Sequence, residues 1–169
     1  MKTFFSLLFA CCISTTAWAQ LGTETSRQSL KDIRGFYVQV DIEGSVGLTS
    51  DEKLNASAIN QRVKQQLRNA GLQVIEPTEV LDQPIEPYLY LHINMIEMEK
   101  GLVPFSTSLQ FYQRATLEKQ KKKKTTMVVC TWDTGAVGLV SYDNLDMIAE
   151  SAIASVDEFI DDFSHANKR

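Results

Sequence analysis

Phe36, Val38, Val40 and Ile42 alternate with Tyr37, Gln39, Asp41 and Glu43, and this period of two constrains the chain more than any other feature. Successive side chains of a strand point to opposite faces, so the pattern specifies a strand that is apolar on one side and wet on the other. Such a strand needs hydrogen-bonded neighbours and a layer over its apolar face. The following segment can supply that layer. Gly44 and Gly47 mark a turn, and then Ile59, Val63 and Leu67 recur every four residues with Ala58, Arg62, Gln66 and Ala70 beside them. This spacing predicts an amphipathic helix. Thr49 and Glu52 have capping-box spacing, Asn55 is an equally good cap, and Gly71 sits where a C-terminal glycine cap belongs. Leu72 to Ile75 reads as a short strand ended by Pro77, and a strand–helix–strand unit implies a right-handed crossover between parallel strands.

Alternation returns at Leu89, Leu91, Ile93 and Met95, set against Tyr88, Tyr90, His92 and Asn94. After Gly101 and Pro104 it resumes at Phe105, Thr107, Leu109 and Phe111, against Ser106, Ser108, Gln110 and Tyr112. A lysine-rich turn leads to a last strand at about Thr125 to Asp133. From Asp143 onward Leu145, Ile148, Ala152, Val156, Phe159 and Phe163 keep the three-four spacing of a long helix. Counting the four long strands and the two helices, the order is β-α-β-β-β-α. The fold class is α+β, one mixed sheet with two helices packed on a single face. Residues 35–169 form one domain, and the polar stretch 20–34 reads as a loose N-terminal arm.

The first nineteen residues read as an address. Met1-Lys2 is a short positive region, Thr3 to Ile13 is apolar, and Ala17-Trp18-Ala19 fits a small-x-small cut before Gln20. The apolar stretch falls short of the ~20 residues of a membrane span. A competing reading takes Cys11 as a lipid-acylated residue after Leu8-Phe9-Ala10, but bulky Phe9 beside the cut disfavours it. Removal of 1–19 takes Lys2 and no acid, so the net charge moves from −4 to −5. With 44% hydrophobic and 22% charged residues, the composition excludes disorder, and the acidity argues against nucleic acid as partner. Cys11 and Cys12 leave with the address, so Cys130 is the one cysteine of the exported chain, and its run Met127-Val128-Val129-Cys130 suggests an inert core thiol.

Motifs with chemistry are few. Asp133-Thr134-Gly135 spells the aspartic protease signature, in which two aspartates share a proton. Only 33 residues follow Ala136, mostly helical in pattern, leaving no room for the barrel strands and covering hairpin of a retroviral-type protease. The plainer expectation is that Asp133 ends a strand, Gly135 and Gly138 form a tight turn, and Trp132 packs. His92 and His165 lie on different elements without ligand spacing, so no metal or cofactor is expected. Asp157, Glu158, Asp161 and Asp162 read as a solvated helix face. Lys121, Lys122, Lys123 and Lys124 suit a solvated hairpin tip, with an anionic envelope polymer or lipid headgroup as the functional alternative. No phosphate loop, nucleophile elbow or Cys-x-x-Cys is present.

What remains is a surface. If both helices cover one face, the other presents Tyr88, Tyr90 and His92 from one strand and Tyr112 and Arg114 from the next. Tyr and Arg are enriched at binding sites, although aromatic cross-strand pairs also stabilise ordinary sheets. The leading expectation is a non-catalytic exported module binding a protein or envelope component through this face. The alternatives are a small periplasmic hydrolase using Asp133 and His92, and an apolar-ligand carrier using space between sheet and helices.

Several stretches carry a family resemblance: Gly35-Phe36-Tyr37-Val38-Gln39-Val40, Leu67-Arg68-Asn69-Ala70-Gly71-Leu72, Pro87-Tyr88-Leu89-Tyr90-Leu91, Thr131-Trp132-Asp133-Thr134-Gly135 and Val156-Asp157-Glu158-Phe159-Ile160-Asp161-Asp162-Phe163. Together the chain resembles a set of uncharacterised exported bacterial proteins. The resemblance implies a periplasmic or secreted setting and recasts the Asp-Thr-Gly stretch as a fold signature. It implies no activity or catalytic residue.

Overall fold

The computed structural model describes residues 24–76, 87–119 and 123–168. The address segment, Cys11, Lys121 and Lys122 lie outside them.

Among the described residues, four strands form one sheet in the order β1-β2-β3-β4. The first, β1 (Tyr37–Glu43), is parallel to β2 (Tyr88–Met95), with Val40 opposite Leu91. The second is antiparallel to β3 (Leu102–Lys119), which is antiparallel to β4 (Lys123–Ser141). Between β1 and β2 runs α1 (Ala56–Asn69), and α2 (Asp146–Ala166) closes the chain. Both of these long helices lie on one face, as expected. Ile59, Val63 and Leu67 of α1 and Ile148, Ala152, Val156 and Phe159 of α2 are buried in the same core as Leu89, Leu91, Ile93, Leu109 and Phe111.

Of the two possible caps for α1, Asn55 is the one used. Its Oδ1 accepts the Ala58 N–H at 2.9 Å. At the other end Gly71 takes φ +82°, and the Leu72 N–H reaches back to the Leu67 carbonyl at 3.0 Å. A left-handed residue closes a helix this way at least cost when it has no Cβ.

Several expectations need correction. Leu72 to Ile75 is not a full strand. Val74 makes a single parallel bridge to Phe36, and the long parallel neighbour of β1 is β2. Residues 24–34 are docked rather than loose, with 24–28 helical and Leu30 fully buried. Asn167 clamps this segment, its Oδ1 accepting the Asp32 N–H at 2.9 Å and its Nδ2 donating to the Leu30 carbonyl at 3.1 Å. The acidic helix face is not wholly solvated, because Asp162 is only 8% exposed. Its carboxylate accepts Arg27 Nε at 2.6 Å and Trp132 Nε1 at 2.9 Å, joining the N-terminal segment, β4 and α2 at one point. Those two donors satisfy a charge that would otherwise be costly to bury.

The fourth correction concerns the Asp-Thr-Gly stretch. Asp133 does not end its strand, and Gly135 and Gly138 form no turn, since β4 runs through all three to Ser141. A Cβ on Gly135 would lie 2.5 Å from the Thr107 carbonyl oxygen, and one on Gly138 would lie 2.5 Å from the Phe105 ring. Both glycines therefore serve close approach between β3 and β4, the other recognised use of glycine within a strand. Trp132 is buried, as expected of a packing residue.

Because β3 and β4 are so long, their hairpin outruns the sheet. The β2 pairing starts at Tyr88 opposite Tyr112, so residues 113–119 and 123–129 continue as a two-stranded ribbon. Seven residues of strand extend about 23 Å. The ribbon exposes Leu117, Met127 and Val128.

Candidate functional site

The face opposite the helices is assembled from four strands by register alone. Tyr37, Tyr88, Tyr112 and Cys130 stand in one row across the sheet, and Gln39, Tyr90, Gln110 and Asp133 in the next. Asp41, His92, Ser108 and Gly135 form a third row, followed by Glu43, Asn94, Ser106 and Val137. A bulge makes the rows coherent. The β3–β4 register shifts between Phe111 and Tyr112, pairing Phe111 with Trp132 but Tyr112 with Cys130. One extra residue in β4, Thr131, thus keeps Trp132 in the core while placing Cys130 on the outer face. For this reason Cys130 is an exposed residue and not the core residue expected from its apolar run, although its part-buried thiol donates to the Trp132 carbonyl at 3.3 Å.

The rings on this face are ordered by one another. Tyr88 and Tyr112 stack with centroids 4.9 Å apart and planes 11° from parallel, and Tyr90 and His92 stack at 5.8 Å and 9°. The Tyr90 hydroxyl donates to Asp41 Oδ2 at 3.2 Å, and the Tyr112 hydroxyl donates to Gln110 Oε1 at 3.1 Å. Burial, reinforced by the Asp41 carboxylate, pushes the Tyr90 hydroxyl up to about 12. Burial also raises Tyr112, with smaller contributions from Cys130 and Asp133. Burial and then Asp133 push the Cys130 thiol up as well, so it is a poor nucleophile at neutral pH.

Four of the five expected binding residues, Tyr88, Tyr90, His92 and Tyr112, come together. Arg114 lies on the same side one step out along the ribbon, opposite Val128. The lysine tip is not part of this group. Lys124 pairs with Glu118, six residues beyond Tyr112 and so about 20 Å away. Asp133 and His92, the hydrolase candidates, share the face but stand on β4 and β2 with β3 between them. Two strand spacings separate them by roughly 10 Å, beyond any direct hydrogen bond. The layer where a carried ligand would sit holds Phe36, Phe111, Trp132 and Phe159.

Two features escape reading along the chain. Toward the far end of the sheet, Val137 (86% exposed), Leu139 (59%) and Ile96 (64%) put large apolar side chains in solvent. The turn expected at Gly135–Gly138 conceals their alternation. The second feature is a grouping of Asp41, Glu43 and His92, whose candidate ligand atoms all lie within 4.8 Å of one another. Histidine spacing says nothing of it, because parallel pairing sets Asp41 beside His92 from 51 positions away.

Fold and face together define a class: an α+β module with a mixed four-stranded sheet, helices on one side and, on the other, an aromatic face that no described helix or strand covers. No protein-family model matches the chain, and no curated protein does. Among solved structures it is similar to the rare lipoprotein B from Shewanella oneidensis, at 10% identity and a TM-score of 0.31, over 75% of this chain and 94% of that one. It is also similar to a minor lipoprotein from Acinetobacter baumannii, at 10% identity and a TM-score of 0.31, over 78% of this chain and 91% of that one.

Proposed function

We propose that the chain is an exported, non-catalytic bacterial envelope module that binds a protein or envelope component through the uncovered sheet face. The observation that carries this reading is the placement of both helices on one side, which leaves Tyr88, Tyr90, His92 and Tyr112 ordered on the other. Pre-stacked tyrosines supply contact area with little rotamer entropy left to lose, which favours binding by a rigid face. The leader at 1–19 supports delivery across the inner membrane. Among the described residues, no helix is long and apolar enough to cross a membrane. The exposed Val137, Leu139 and Ile96 extend the same face with apolar surface of the kind found at contacts.

The test is capture from envelope extract with the chain as bait. Tyr90→Ala combined with Tyr112→Ala removes two central anchors, and a hot-spot truncation costs about 2 kcal/mol, or roughly 30-fold in affinity. The double variant is expected to keep its circular dichroism spectrum and lose the captured partner. Equal capture by both proteins, or no saturable partner for either, overturns the reading.

A further inference from the structure

We infer that Asp41, Glu43 and His92 form a binding site for a divalent transition-metal ion of the zinc type. One imidazole and two carboxylates are a donor set that zinc accepts, with a water left to complete four-coordination. The geometry is close to what such an ion imposes. Donors at about 2.1 Å from a tetrahedral zinc stand about 3.4 Å from one another. His92 Nε2 lies 3.4 Å from Glu43 Oε2, and all the candidate ligand atoms fall within 4.8 Å. The Glu43 side chain is 61% exposed, so its carboxylate stands at the solvent edge of the group.

His92 Nε2, itself one of the candidate ligand atoms, has a further property. The atom is shielded from solvent on a side chain that is 25% exposed, and it makes no hydrogen bond, its contact with Glu43 being an ion pair only when the ring is protonated. A shielded ring nitrogen without a hydrogen bond is costly, and in the neutral ring with its proton on Nδ1 a metal ion would take up the Nε2 lone pair. The groups around the ligands also hold them as outer partners of a metal site do. Asp41 Oδ1 accepts the Ile42 N–H at 3.0 Å and Oδ2 accepts the Tyr90 hydroxyl at 3.2 Å, fixing the carboxylate. The His92 ring is held flat against Tyr90. With a neutral imidazole, the two carboxylates balance the ion's charge. The competing arrangement is a protonated His92 paired with the two acids and no metal, and this site stands or falls independently of whether the face binds a macromolecule.

The test uses tag-free exported chain, zinc chloride as the probe, calorimetry and the histidine ring resonances. Only His92 and His165 exist in the sequence, so each ring reports separately and His165 serves as an internal control. The expected result is saturable one-to-one binding, with the His92 ring shifting and His165 unmoved. His92→Ala and, because its side chain is exposed, the structurally milder Glu43→Gln should each weaken zinc by at least ~10-fold. Heat without saturation, equal shifts of both histidines, or wild-type affinity in both variants overturns the site.

Discussion

Phe159→Ala is expected to lower stability by about 4 kcal/mol, the middle of the range for removing a fully buried aromatic ring. For a domain of this size that is roughly a 12 °C fall in the unfolding midpoint. Phe159 is wholly buried and touches four other rings, with centroids 5.5 Å from Phe36, 5.5 Å from Phe111, 5.1 Å from Trp132 and 5.9 Å from Phe163. These neighbours come from the residue just before β1, from β3, from β4 and from α2 itself, so none can relax into the void without disturbing the backbone it stands on. The void would also open beneath the Trp132 indole, whose Nε1 donates to Asp162, loosening the link to Arg27. Chemical denaturation followed by circular dichroism measures the loss. A change below about 1 kcal/mol would show that the helix does not dock on the sheet through this ring.

Gly135→Ala is the second large effect, and it separates two structural readings of the Asp-Thr-Gly stretch. In a turn, alanine at this position would be tolerated or cost a few tenths of a kcal/mol. In β4 the added methyl meets the Thr107 carbonyl oxygen at 2.5 Å, so a backbone pair must part. Overpacking of this kind costs about 1–3 kcal/mol, and here backbone rather than a mobile side chain has to yield, placing the loss at about 3 kcal/mol. Amide exchange should quicken along Thr107 to Leu109 and their β4 partners. An unchanged denaturation midpoint would contradict the strand assignment.

The architecture was legible because burial on one face writes itself as periodicity. Val38 and Ile42, Leu89 to Met95, and Ile59 to Leu67 each carry their element's period unbroken, and the structure pairs and packs them accordingly. Legibility failed where a residue's role depends on contacts distant in sequence. Gly135 and Gly138 look like turn residues until β3 lies against them. Asp162 looks like one of four solvent-facing acids until Arg27 and Trp132 reach it from 135 and 30 residues away. Cys130 looks buried by its neighbours' hydrophobicity, but a one-residue bulge beside it turns it outward. The surface residues fared in the same way. Tyr88, Tyr90, His92 and Tyr112 were readable as the polar half of two alternations. The grouping of His92 with Asp41 and Glu43 was not, since it depends on the register between parallel strands joined by a crossover.

Photocrosslinking in cells addresses the uncovered face most directly. A benzoylphenylalanine placed at Tyr90 or at Tyr112 reports from the centre of that face, and one at Ala154 or Asp161 reports from exposed positions on α2. The expected result is a discrete adduct with one envelope component from both sheet positions and none from the helix positions. Adducts from α2 with none from the sheet would contradict the assignment of function to that face.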